Sequence, residues 1–296
     1  MTQFLSLLLN GVSLGALYAL IALGFVIIFK ASEVVSFMHG SLLLLGAFLI
    51  AHFSGSLGFW PAVLVGVVGT ALAAVLTERL LINRLRGAPV ISLAILTIGV
   101  DILILTELTR RIGSDILNVG HPWGGGTVTF GGVGMTTNRA LAVVVAGVLI
   151  AAFFVAFKYS SWGVAMRAAA EDGEAAALMG IRLGRVSALA WLVAGVLAAV
   201  AALFLVGSPT PGVTPTIGAI ALRAFPAAIL GGLDSTGGAL VGGLVVGIAE
   251  SLAAGYQDQI AFLGRGFGDV VPYVVMVAVL LVRPSGLFGT RELTRV

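Results

Sequence analysis

Apolar runs long enough to cross about 30 Å of hydrocarbon as helix recur along the whole chain, and they constrain its fold more than any other feature. The clearest are Val12–Phe29, Ser41–Phe53, Trp60–Thr77, Pro89–Leu108, Ala140–Phe157, Ser187–Val206, Gly237–Ala254 and Val270–Val282. Several fall short of the roughly 20 residues a straight span needs, so their ends must extend into the flanks. Charge is correspondingly scarce, 10% of residues against about 25% in a typical soluble domain. The expected fold is all-α, a polytopic transmembrane helical bundle in which residues 1–296 form one domain. A membrane β-barrel is excluded, because its strands alternate apolar with polar residues and these runs are continuous. The first run is not read as a cleaved signal peptide: Lys30 follows it, and no basic region leads it.

The basic residues give a direction to the bundle. Lys30, Arg79, Arg84, Arg86, Lys158, Arg167, Arg182, Arg185, Arg283, Arg291 and Arg295 fall on one side, eleven of the sixteen. Arg110, Arg111, Arg139 and Arg265 fall on the other. The excess marks the cytoplasmic side, with the C-terminus inside and the N-terminus outside. That arrangement requires an odd number of crossings. The ninth is Ile217–Leu230, short and carrying Arg223 and Pro226; eight crossings with a re-entrant segment is the alternative. Such a segment is tolerated at depth only where protein or a water-filled cavity surrounds it. Trp60, Trp162 and Trp191 are expected near the interfaces. In the outer loop around 109–139, Thr127–Phe130 and Val133 flank Gly131-Gly132 as a small hairpin, either a docking surface or an ordered connector. The paired glycines of 231–247 suit close helix packing. A faint echo relates Met38-His39-Gly40 to Thr216-Ile217-Gly218.

Several function classes find no support. There is no cysteine, hence neither disulfide nor thiolate chemistry. His39, His52 and His121 are far apart, and a metal site would need long-range convergence. No Gly-x-x-x-x-Gly-Lys-[Ser/Thr] occurs, so any energy from ATP must come through another subunit. Nothing resembles a nucleophile–base pair or paired catalytic carboxylates, and no aromatic platform for nucleic acid is present.

One long polar insertion, about 158–186, interrupts the apolar pattern. Arg167-Ala-Ala-Ala-Glu171-Asp172-Gly-Glu174-Ala175-Ala176-Ala-Leu178-Met179-Gly180 is rich in strong helix formers, with Gly180 as a stop. Glu171 and Glu174 are expected on one face, beside a surface of Ala175, Ala176, Leu178 and Met179. The segment reads either as a helix filling a groove on a partner or as an amphipathic linker on lipid. Within the spans the ionisable candidates are Asp101, Glu250, Arg223 and His39, each either paired with a neighbouring helix or lining a route, with Phe37 as an apolar wall. For His39 the first alternative is capping of a helix start. Glu78 and Glu107 read as terminal anchors.

Glu174-Ala175-Ala176, three residues, then Gly180 resembles the cytoplasmic coupling signature of ABC importer permeases. Ser13–Gly24, Phe37-Met-His-Gly40, Thr97-Ile-Gly99, Ala228–Leu233, Gly237–Gly243 and Arg283-Pro-Ser-Gly-Leu-Phe-Gly289, in collinear order, resemble the branched-chain amino-acid permease family. The resemblance implies a bacterial inner-membrane pore subunit that binds no cofactor itself. Its implied partners are a second permease, two cytoplasmic subunits that carry ATP and Mg, and a periplasmic substrate-binding protein. It implies leucine, isoleucine and valine as substrates, or other amino acids, amides or urea. The Arg167–Gly180 segment would be the coupling helix, with Arg167 and Asp172 in its surrounding stretch. Met38 stands where the family usually has Ala, a larger side chain near a route. The rival reading is an ion-coupled secondary transporter using Asp101 and Glu250; a channel-like subunit is third.

Overall fold

The computed structural model describes residues 2–120, 122–130, 133–207, 212–259 and 266–289. His121, Gly131, Gly132, Arg265, Arg291 and Arg295 lie outside them. Among the described residues seven helices are long and apolar enough to span a membrane: α1 (Thr2–Ser32), α2 (His39–Leu57), α3 (Phe59–Thr77, prolonged by a π turn and a 3₁₀ turn to Leu85), α4 (Val90–Ile112), α5 (Thr137–Tyr159), α8 (Leu183–Leu205) and α10 (Thr236–Gly255). Two apolar helices are shorter, α9 (Ile217–Gly231) and α11 (Val271–Val282). Between α5 and α8 lie α6 (Ser161–Glu171) and α7 (Gly173–Leu178). Strands β1 (Thr127–Phe130) and β2 (Val133–Thr136) form the expected antiparallel hairpin. This is a polytopic helical membrane protein, and every expected apolar run is a helix.

The core lies between α1 and α8, of whose apolar windows 83% and 72% are buried, against 11% for α4 and 17% for α5. Small residues permit this. A Cβ at Gly247 would lie 2.2 Å from the backbone of Gly15, and one at Gly243 would lie 2.5 Å from that of Ala19. Bare backbone on α10 therefore lets α1 come within direct contact, where packing rather than water exclusion drives association.

Helices α2 and α9 both begin at depth, and they begin against one another. A Cβ on Gly40 would stand 2.8 Å from the Gly218 carbonyl oxygen. From this point α2 runs to the hairpin end, where Phe59, the first residue of α3, meets Trp123 at 5.3 Å. Helix α9 runs to the opposite end, where Lys30 Nζ donates to the Asp234 carbonyl (2.7 Å). The echo between Met38–Gly40 and Thr216–Gly218 is thus a pair of helix starts meeting head to head. Pro226 sits inside α9 and, lacking an N–H, leaves the Leu222 carbonyl without its helical donor. The Tyr273 hydroxyl of α11 donates to that oxygen (3.2 Å).

Three expectations need correction. Trp191 is fully buried rather than interfacial, in a cluster with Ile28, Leu42 and Met38. Its helix is central, so the indole meets protein on every side; the extra bulk of Met38 fills this core, not a route. Glu78 is not an exposed anchor. Helix α3 continues past Thr77 through the π turn Glu78–Ile82, which buries that carboxylate completely, with Arg79 Nε at 3.7 Å. Glu107 is the anchor expected, at the exposed end of α4, accepting from Arg110 (2.8 Å) and Arg111 (2.6 Å).

Candidate functional site

Three groups of residues bear on function, at the two ends and the middle of the bundle. At the α7 end, the polar insertion is not one helix. Asp172 adopts an extended conformation (φ −154°, ψ 101°) that ends α6, and its carboxylate accepts from the Ala175 N–H (2.9 Å) to start α7. An Asp-Gly pair favours such a break over a helix interior. Glu171 and Glu174 therefore lie on two helices, not on one face. Gly180 has φ +87°, the left-handed conformation that stops a helix at little cost in glycine. Glu174, Ala175, Leu178 and Met179 are exposed, the last two 89% and 85%. Ala176 instead faces inward. The Arg167 guanidinium donates to the carbonyls of Phe157 and Lys158 and stacks on the Phe157 ring, fastening α6 to the foot of α5.

At mid-depth the start of α2 is held by α4. Asp101, halfway along α4, accepts from the Ser41 N–H (3.0 Å), and the Thr97 hydroxyl accepts from the Phe37 N–H (3.0 Å). These satisfy helix-start donors that water cannot reach, and the carboxylate faces the positive end of the helix dipole. Asp101 thus pairs with a neighbouring helix. His39 does not cap: the N-cap is Met38, with no side-chain bond. The His39 ring is completely buried against Phe25 (centroids 4.5 Å apart), and neither nitrogen has a partner among the described residues. Phe25 also meets Phe225 (5.2 Å), which meets Phe37 (5.8 Å). One aromatic cluster thereby links α1, α2 and α9 where the two helix starts abut.

Towards the hairpin end, Arg223 of α9 and Glu250 of α10 come together. Arg223 Nη1 lies 3.2 Å from Glu250 Oε1 and 2.8 Å from Asp269 Oδ1. The Tyr18 hydroxyl of α1 donates to Glu250 Oε2 (2.7 Å). The structure groups Arg223 with Glu250, and His39 with Phe37, but joins neither pair to Asp101. Sequence reasoning missed Tyr18 and Asp269. Tyr18 is the only hydroxyl-bearing aromatic in the Ser13–Gly24 stretch, a signal that was available; Asp269 lies in a single 3₁₀ turn, Phe267–Asp269, whose sequence carries none.

A family model described as "Branched-chain amino acid transport system / permease component" matches residues 7–280. The chain belongs to this permease family. Over 309 aligned residues the permease is 33% identical to the high-affinity branched-chain amino acid transport system permease protein LivH of Salmonella typhimurium, covering 99% of this chain and 98% of that one. The same coverage holds at 34% identity for LivH of Escherichia coli. It is also 30% identical over 311 residues to the permease protein BraD of Pseudomonas aeruginosa, again with 99% and 98% covered. No solved structure matches it. Membership makes the protein a transport component of the membrane. In the permease, a groove of about 510 Å³ separates α7 from the end of α1 and the α3–α4 connection, bordered by Lys30, Glu33, Arg86, Asp172 and Glu174. The exposed α7 surface therefore adjoins a recess in which charges of both signs stand beside apolar residues such as Ile82, Val90 and Leu93.

Proposed function

We propose that this chain is one pore-forming subunit of an ATP-driven importer that moves branched-chain or related small amino acids from periplasm to cytoplasm. The α7 end lies in the cytoplasm, where most basic loop residues fall, and the N-terminus lies outside. ATP and Mg are held by two partner subunits, a second permease completes the pore, and a periplasmic binding protein delivers the solute. The chain contributes no covalent chemistry.

The observation that carries this reading is the α7 turn, where Leu178 and Met179 stand free beside Glu174. Two large apolar side chains held in water by a capped turn fit a partner's groove, whereas lipid contact would not call for neighbouring carboxylates. The mid-depth aromatic cluster and the abutting starts of α2 and α9 supply the barrier, and relative movement of the helix bundles opens it to each side in turn.

The test is purification of the tagged chain from its native membrane with identification of what accompanies it, for wild type and Glu174→Arg in parallel. An ATPase subunit is expected with the wild type. In the variant it is expected to be lost, and ATP-driven uptake abolished, while the chain still inserts. Uptake by the chain alone, driven by an ion gradient, would establish the secondary-transporter reading instead.

A further inference from the structure

At the hairpin end a cavity of about 450 Å³ opens between α1, α5, α8 and α10, within the roughly 300–1,000 Å³ of small-molecule sites. Among the described residues its charged lining comprises Arg139, Arg223, Glu250 and Asp269, two guanidiniums and two carboxylates whose charges balance. The carboxylates belong to α10 and to the 3₁₀ turn (Phe267–Asp269) before α11, and they flank Arg223. Arg139 comes from the first turn of α5, where its guanidinium donates to Asn10. Asn138 beside it is buried; its amide nitrogen donates to the Phe204 carbonyl (3.0 Å), and its amide oxygen has no donor among the described residues. The remaining wall includes Leu7, Leu14, Leu17 and Phe204.

We infer that this cavity binds the free amino acid as a zwitterion, within a single permease chain and before the barrier at mid-depth. This deepens the reading as an amino-acid importer and rests on it. The α-carboxylate is placed against Arg139, since a guanidinium accommodates both oxygens. The ammonium is placed between Glu250 and the open Asn138 oxygen, and the aliphatic side chain lies on the leucine and phenylalanine wall. Because the charges of the described lining sum to zero, a ligand with a net charge would leave one ion uncompensated in a half-buried site, which is costly. A neutral zwitterion adds none. The site therefore selects by charge class and apolar surface, not by a hydrogen bond to the side chain. Tyr18 does not contact the ligand; by donating to Glu250 it is a positioning residue.

The test uses the full chain in nanodiscs, with tritiated L-leucine as probe and no receptor or nucleotide. Saturable binding is expected, with L-lysine, L-glutamate, the oxo acid lacking the ammonium and the amine lacking the carboxylate each competing roughly 10-fold or more weakly. These competitors need no variant, so a misfolding substitution cannot obscure the result. Arg139→Gln and Glu250→Gln, each eluting as wild type, should raise the half-saturating concentration by roughly 10-fold or more. Equal competition by the two truncated analogues overturns the proposal, as do unchanged binding in both variants and the absence of saturable binding. Displacement of leucine when phosphatidylethanolamine is added to the discs assigns the cavity to a lipid headgroup and overturns it too. If ATP-driven uptake by the complex persists through any of these failures, the importer reading stands and only the site is lost. Absence of uptake tests that reading separately.

Discussion

Helices α2 and α9 start at the same point in the bundle, yet they are secured differently. The start of α2 is fastened by α4: Asp101 accepts from the Ser41 N–H in its first turn, and Thr97 from the Phe37 N–H just before the helix, at 3.0 Å each. Among the described residues, helix α9 has no comparable side-chain cap at its start. It is secured along its length, by Arg223 to Glu250 and Asp269 and by Tyr273 at the Pro226 break. The bonds from the Ser41 and Phe37 N–H groups to half-buried Asp101 and buried Thr97 are lost only at the cost of leaving polar groups dry. Ion pairs beside a cavity, with Asp269 60% exposed, can exchange for water or ligand far more readily. The α2 start is thus frame, and α9 is the element free to shift.

Substitutions can break or sharpen that contrast. Asp101→Ala should cost most, about 1.5–3 kcal/mol for a hydrogen bond to a charged group, read as a lowered unfolding midpoint in detergent; Asp101→Asn should recover part of it. An unchanged midpoint in Asp101→Ala would remove the case for α2 as frame. At the meeting point, Gly40→Ala should cost about 1–3 kcal/mol by overpacking, because the new methyl would meet backbone at 2.8 Å. Gly218→Ala, at 3.2 Å, should cost less, and the reverse order would show that α2 yields more easily than α9. Tyr273→Phe should have the smallest effect, about 1 kcal/mol or below, since the bond it removes is exposed and water can replace the hydroxyl at Leu222.

The apolar helices, the Gly180 stop and the hairpin were legible because each depends on neighbours within a few residues. What the polar groups do was not. Asp101 meets Ser41 across 60 positions, Arg223 meets Glu250 across 27, and Tyr18 meets Glu250 across 232. Hydropathy says only that such a group must be paired, and the partner emerges from packing. Trp191 misled for a related reason. Interfacial and central tryptophans occupy similar apolar sequence, and only the position of α8 inside the bundle distinguishes them. Of the two sequence readings of His39, a cap or a lining of the route, the cap fails: the backbone there turns its ring onto Phe25 and leaves the capping to α4.

The Arg167 fastening has a mechanical consequence. Helix α6, 11 residues and about 16 Å long, is clamped at its root by a guanidinium gripping Phe157 and Lys158, and α7 is fixed to its tip through Asp172. The pair behaves as a crank. A tug on Leu178 and Met179 would arrive as torque at the foot of α5, one of the two least embedded spans. Through the Trp162 bond to the Val186 carbonyl (3.3 Å), part of the same load would reach α8, the most central helix after α1. A short stroke in the water would be divided between a helix able to slide and one that must carry the core with it.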